Sequence, residues 1–588
     1  MPFARRFRGA AVAFLTMLAV PGARAQATPP VQVDQGSRWG DRERRAFYVQ
    51  DQGSELMPLA WLKALKQRDG TPFLAGSLSR YGYLPNPDSR DDLPIGFTFA
   101  GPAGGEIAGM SCAACHTREI TVAGRAYRID GGPAIVDFQT LLSDLDESVG
   151  AVVASEAAFQ PFAQAVLGAG AGEPGAVQNL LVVARSWYDR YHTLMARALP
   201  TTPWGPSRLD AVGMIFNRVT GLDIGLPPGT MIPDNIRAAD APARYPFLWN
   251  APIQDRTQWP GFAANGNDTL ALSRNLGEVL GVFGRFHPRP DAFKILTGYD
   301  YLSDNSANFN GLRLLEDSVK AIGPPRWPWS LQMTLVRQGA AIFARPESQG
   351  GCKSCHGPEP GAHWPLEAET WKTPVKDVGT DSREHGVMQW RAKSGILTGA
   401  QIPVVQSTPL RAENECSFSI LANAVTGSII QSFPPFLIAG PPPMPGMAAL
   451  RLDILALPPK LRPLAEAFPQ AATGDGSCVP GVPAGTYPYE ARVLEGIWAA
   501  APYLHNGSVA TLADLLKKPD QRRQAFKVGP NYDIDAVGLA EDQTLFDYTL
   551  KTTDCTDRNS GNSRCGHAYG TDLSADEKKA LLEYLKSL

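Results

Sequence analysis

Two five-residue runs, Cys112-Ala113-Ala114-Cys115-His116 and Cys352-Lys353-Ser354-Cys355-His356, constrain this chain more than anything else in it. Each is a C-x-x-C-H, the pattern that attaches c-type haem covalently. Two residues between the cysteines let both sulfurs reach one porphyrin edge, and the next imidazole then ligates the iron. With only 8 Cys and 8 His among 588 residues, two such runs by chance are far rarer than one. The expected cofactors are two covalently bound haem c groups, held by Cys112, Cys115, His116, Cys352, Cys355 and His356.

The start of the chain fits that chemistry. Arg5, Arg6 and Arg8 precede a short apolar run, Ala10 to Val20, and Ala23-Arg24-Ala25 offers a cleavage site. Residues 1–25 read as a signal peptide, and no later stretch approaches 18 uninterrupted apolar residues. The expected location is periplasmic or secreted, with no transmembrane anchor after cleavage. Removing the signal takes away four arginines and no acids, moving the formal charge from −3 to −7. That acidic balance argues against nucleic acid as a partner. Four cysteines lie outside the haem motifs, which in an exported protein points to two disulfides. Cys555 and Cys565 would close a short loop and leave Cys416 with Cys478, although the other pairings stay open.

The composition, with 57 Gly, 51 Pro and 12 Trp, predicts much irregular backbone. The Pro-rich run Gly323 to Trp329 marks a boundary between residues 26–325, an N-terminal haem domain, and residues 326–588, a C-terminal cytochrome c-like domain. Helices are expected at Glu55–Gln67, Phe138–Glu147, Gln178–Ala198, Leu272–Phe283, Leu331–Phe343 and Ser574–Leu588, the last opened by a capping box. Pro434-Pro435 and Pro441-Pro442-Pro443 read as loops. The predicted fold is mainly α with extensive ordered loops and two cytochrome c-like haem domains.

Outside the haem motifs, the most specific segment is Gly496-Ile497-Trp498-Ala499-Ala500-Ala501-Pro502-Tyr503-Leu504-His505-Asn506-Gly507-Ser508, followed by Thr511-Leu512. It resembles the P-Y-x-H-[DN]-G-S signature of di-haem cytochrome c peroxidases, in the form found in the rubber-oxygenase branch. Further matches are Phe47-Tyr48, Gln52 to Pro58, Tyr245 to Pro252, Gln258-Trp259 and the final Gly561-Asn562-Ser563-Arg564-Cys565-Gly566-His567. The resemblance implies that the N-terminal haem is the reactive one, with His116 as its strong protein ligand and an open distal face. It also implies that His567 is the second axial ligand of the His356 haem, making that haem an electron store. Peroxidases of this type use Met at the latter position, so the chain departs from their pattern there.

The remaining candidates are less constrained. His505 is expected near a haem, bonding a propionate or a carbonyl, and His385 is a competing distal ligand. Trp249 and Trp259 are the candidate catalytic residues, since an indole between porphyrins can relay an electron or hold a radical; core packing is the alternative. Phe216, Phe247 and Phe262 are candidates for an apolar distal pocket, and Arg208, Arg274 and Asn275 for propionate or distal contacts. The implied activity is oxidation by dioxygen or hydrogen peroxide, acting on an apolar unsaturated substrate as in rubber oxygenase. A peroxidase fed by a small redox protein and a non-catalytic electron carrier are the alternatives.

Overall fold

Strand pairs, not helices, frame the first haem motif. In the computed structural model, Ile107–Met110 pairs antiparallel with Phe97–Ala100 on one side and Met57–Pro58 on the other. This strand runs directly into the Cys112–Cys115 turn. The chain leaves the motif as a second strand, Thr117–Val122, which returns as Arg125–Asp130. Ala123 and Gly124 both have positive φ, the geometry that a two-residue hairpin turn requires. Val31–Gln32 adds to Arg125–Asp130 in parallel.

The structure describes residues 28–588 except 90, 295–296, 364–368, 403–405, 407, 434–460, 465–476, 480–481 and 483–484. The signal segment and the two proline clusters lie outside these residues. About 39% of the chain is helical and 15% strand, spread over many small sheets. The expectation of a mainly α fold with two cytochrome c-like haem domains is therefore corrected to a mixed α/β fold in which no such pair of domains is shown. The reason is physical. Most strands here are two to four residues long, too short for a period-2 pattern to stand out from loop sequence.

Three apolar cores organise the molecule. The first gathers Leu59–Ala64, Phe138–Val153, Glu156–Leu167 and Ala176–Ala198 around Trp61, Phe159 and Trp204. The second surrounds Ser417–Ser432, which is buried at every position from Ser417 to Ile430, small polar side chains such as Ser419 and Thr426 included. The third joins distant parts of the chain: Val33, Phe47, Ile120 and Ile129 pack with Trp498, Tyr503, Leu539 and Leu581.

The long helices follow their sequence signals closely. Ala575–Ser587 starts at the expected capping box, with Ser574 Oγ accepting from Glu577 N–H and the Glu577 carboxylate accepting from Ser574 N–H. It packs on Met333–Phe343 so closely that a Cβ on Gly339 would lie 2.1 Å from the Ala580 carbonyl oxygen. The expected helix Glu55–Gln67 is shorter, Leu59–Ala64, because Met57 and Pro58 join the sheet beside the first motif.

Candidate functional site

Both C-x-x-C-H runs close the same tight turn. His116 N–H donates to the Cys112 carbonyl at 2.9 Å, and His356 N–H donates to the Cys352 carbonyl at 3.0 Å. Close packing enforces the first turn: a Cβ on Gly96, whose φ is +77°, would lie 1.9 Å from Ala114 N. At the second, Cys352 N–H donates to the carbonyl of Phe343, so the end of Met333–Phe343 delivers the motif as expected.

Each proximal imidazole is oriented by one backbone carbonyl. Nδ1–H of His116 donates to Pro246 O at 2.9 Å, and Nδ1–H of His356 donates to Arg492 O at 2.8 Å. That choice of tautomer leaves Nε2 of both rings with a free lone pair, the donor that an iron needs. Burial, aided by the Arg492 and Arg274 cations, pushes His116 down to about 4, so the ring is neutral. Burial likewise pushes the Cys115 thiol up to about 12, with Glu278 adding to the effect, and the Cys352 thiol up to about 11.

His567 stands opposite His356. The ring centroids are 6.1 Å apart, the separation of about 6 Å expected when two imidazoles each reach a shared metal at roughly 2 Å. His567 is half-buried, its Nδ1 is buried with no hydrogen-bond partner, and desolvation pushes the ring down to about 3. A buried, unpartnered ring nitrogen is costly, which makes a metal ligand the fitting role. The cavity between the rings is lined by Leu512, Leu516, Leu581 and Leu585, with Cys352 and Cys355 at its wall. Arg244 and Arg492 also line it, both buried and both lowered by burial, Arg244 to about 9. Glu490 stands 3.8 Å from Arg492 and is itself pushed up to about 7 by burial. The buried Arg244 guanidinium in this wall suits a propionate of a haem.

His505 lines this same cavity, but its Nε2 pairs with Asp381 at 3.0 Å and its ring stacks on Tyr489 at 3.5 Å. Asn506 and Ser508 donate to Ser563 O, tying the His-Asn-Gly-Ser turn to the loop that carries His567. Cys555–Cys565 and Cys416–Cys478 form the two disulfides. Arg208 binds the carbonyls of Trp204 and Asn506 and thus clamps loops.

Trp259 also lines the larger cavity, its indole N–H donating to Arg244 O at 3.0 Å. Trp249 is fully buried, donates to Glu495 O and stacks on Phe247 at 4.7 Å. A smaller cavity is walled by Phe216, Phe262, Phe418, Leu421 and Val425, and its polar end holds Arg274, Gln258 and Glu278, of which Arg274 and Glu278 act electrostatically on the first motif. Burial raises the Glu278 carboxyl, and Gln258 donates to it at 3.1 Å. Glu278 acts on both thiols of the first motif, and Arg274 pairs with Glu316 at 2.8 Å. Sequence reasoning missed Glu278, Glu490 and Arg492, which lie in no recognisable spacing.

Every other histidine is accounted for. His385 Nε2 bonds Pro488 O, His192 pairs with Asp146, His287 pairs with Asp304, and His363 is exposed. His385 is thus held by a carbonyl and not aimed at His356.

Glu384, beside His385, is buried with no partner for Oε2, and burial together with Asp210, Asp381 and Glu490 raises its carboxyl well above the usual range. A raised carboxyl contributes stability below its unfolded pKa and loses it as pH rises towards the folded value. Glu384→Gln is therefore expected to raise the denaturation midpoint at pH 8 more than at pH 5, by about 1–3 kcal/mol at the upper end. An equal shift at both pH values would refute this.

Residues 488–527 match a family model described as RoxA-like, cytochrome c-like. An uncharacterized protein, y4iJ, of Sinorhizobium fredii (strain NBRC 101917 / NGR234) is 28% identical over 598 residues, covering 94% of this chain and 92% of that protein. A second uncharacterized protein of the same strain, y4iM, is 23% identical over 415 residues, covering 68% and 74%. The matched segment holds Arg492, His505 and Arg522, and its similarity is to a c-type cytochrome related to rubber oxygenase.

Proposed function

We propose that the chain is an exported di-haem oxidoreductase in which the His116 site activates dioxygen or peroxide and the His356–His567 site stores electrons. The carrying observation is the inequality of the two proximal histidines. His356 faces His567 at 6.1 Å, whereas His116 packs against Tyr245, and every other histidine has another partner or is exposed. A c-type haem with one protein ligand supplies iron with an open coordination position.

The protein's own groups do the rest. Phe216, Phe262, Phe418 and Val425 exclude water and suit an apolar, unsaturated chain segment. Burial raises the Glu278 carboxyl, and Gln258 fixes its orientation. A carboxyl raised by burial and acting on the first motif favours peroxide reduction as the second reading, since breaking an O–O bond consumes protons. Trp249 and Trp259 would serve as oxidisable relays, in keeping with their burial and their capped indole N–H groups.

Oxygen uptake on polyisoprene or an unsaturated lipid, set against peroxide turnover with a reduced cytochrome, tests the reading. Carbon monoxide is expected to bind one of two ferrous haems. Binding at neither, or no turnover in both assays by fully loaded protein, would leave an electron carrier instead.

A further inference from the structure

We propose that Arg492 is the bridge between the two haem sites, joining His116 to His356 through three hydrogen bonds and two covalent segments, the Pro246–Phe247 backbone and Arg492 itself. The inference rests on the two-haem reading above.

The path can be traced atom by atom. Nδ1–H of His116 donates to Pro246 O at 2.9 Å. The next carbonyl along the chain, Phe247 O, accepts from Arg492 Nη1–H at 2.8 Å. The backbone carbonyl of Arg492 itself accepts from His356 Nδ1–H at 2.8 Å. One residue thus grips one proximal ligand through its main chain and the support of the other through its side chain.

The guanidinium has little freedom to do otherwise. Its Nε–H donates to Gln254 Oε1 at 2.9 Å, its plane lies 4.1 Å over the Phe247 ring, and the residue is 6% exposed. Gln254 in turn reaches Thr373, and Ala491 N–H is tied to Pro374 O at 2.7 Å. A rigid, buried, planar donor is what a fixed link between two ligands needs, and lysine could not supply both contacts at once.

The function assigned to this bridge is twofold. With both haems in place it would couple the sites for transfer of one electron, lost by the haem that His356 holds and gained by the one that His116 holds, with no proton moved. Its buried positive charge also favours the reduced state at His116. Arg492 is a positioning residue, because it acts through Pro246, Phe247 and the two imidazoles.

The test uses the full-length holoprotein with Arg492→Gln and Arg492→Lys. Haem content comes from the pyridine haemochrome, potentials from spectroelectrochemistry, and inter-haem transfer from pulse radiolysis that injects one electron. Arg492→Gln is expected to keep two haems and the low-spin spectrum at His356, because the backbone carbonyl is unchanged. Its transfer rate should fall about tenfold or more, the usual scale for losing a ligand's support, and the His116 potential should move down. Arg492→Lys should keep the potential but not the rate. An unchanged rate in a fully loaded Arg492→Gln protein overturns the bridge. If that variant loses haem, Arg492→Lys decides by the same criterion. One haem per wild-type chain would instead overturn the two-haem reading and the bridge with it.

Discussion

His567→Ala is expected to leave both haems attached and to abolish the low-spin signature of one. Attachment depends on the cysteines of each motif, which the substitution does not touch. The ligand role depends on the imbalance already present around His567: an imidazole with a buried, unpartnered Nδ1, 6.1 Å from the ring of His356. The loop that presents it is held independently of the ring. Arg522 donates to the carbonyls of Arg564, Gly566 and His567, and His567 N–H donates to Val378 O. The Cys555–Cys565 disulfide ends two residues before it. The backbone therefore stays in place, and the loss is confined to one axial ligand. The oxidised protein should change from low spin towards high spin at one haem, and its ferrous form should bind carbon monoxide at two haems in place of one. An unchanged spectrum would exclude His567 as a ligand.

The parts legible from sequence are those where chemistry dictates spacing. Both C-x-x-C-H runs close the same turn, and the final motif marks the loop on which His567 faces His356. Helix ends with side-chain caps were legible too, as at Ser574 and Glu577. What escaped were contacts made across long stretches of chain. Arg492 lies 136 residues from His356 in sequence, and its carbonyl, which any residue carries, makes the bond. Glu278 sits on a helix, Asp268–Gly281, whose apolar periodicity was visible, but nothing marked one acid as buried. The mixed fold was hidden for a related reason. Two-residue strands such as Met57–Pro58 are specified by their partner strands and not by their own pattern.

Asp130 is the clearest case of an unmarked residue with a large expected effect. Its carboxylate is 1% exposed and accepts from Trp39 Nε1–H at 2.8 Å, Arg44 Nε–H at 2.7 Å and Tyr48 O–H at 2.6 Å. Its backbone exchanges two further bonds with Gln35. Immediately after it, Gly131 N–H donates to His116 O, and Leu248 N–H donates to Gly131 O. The cluster therefore fixes the strand end from which the first motif and the Pro246 support are both hung. Asp130→Ala leaves Arg44 with only the exposed Asp41 as its partner and strands two neutral donors, a loss of about 3 kcal/mol against a total stability of roughly 5–15 kcal/mol. Denaturant titration should show that loss, together with weaker haem loading at Cys112 and Cys115 than at Cys352 and Cys355. Replacing both partners, Asp130→Leu with Arg44→Met, should recover much of the stability, because the penalty lies in the unpaired charge and not in the missing pair. A loss below about 1 kcal/mol in the single variant would instead place the cation in water, and the first motif would then owe its position to the sheet alone.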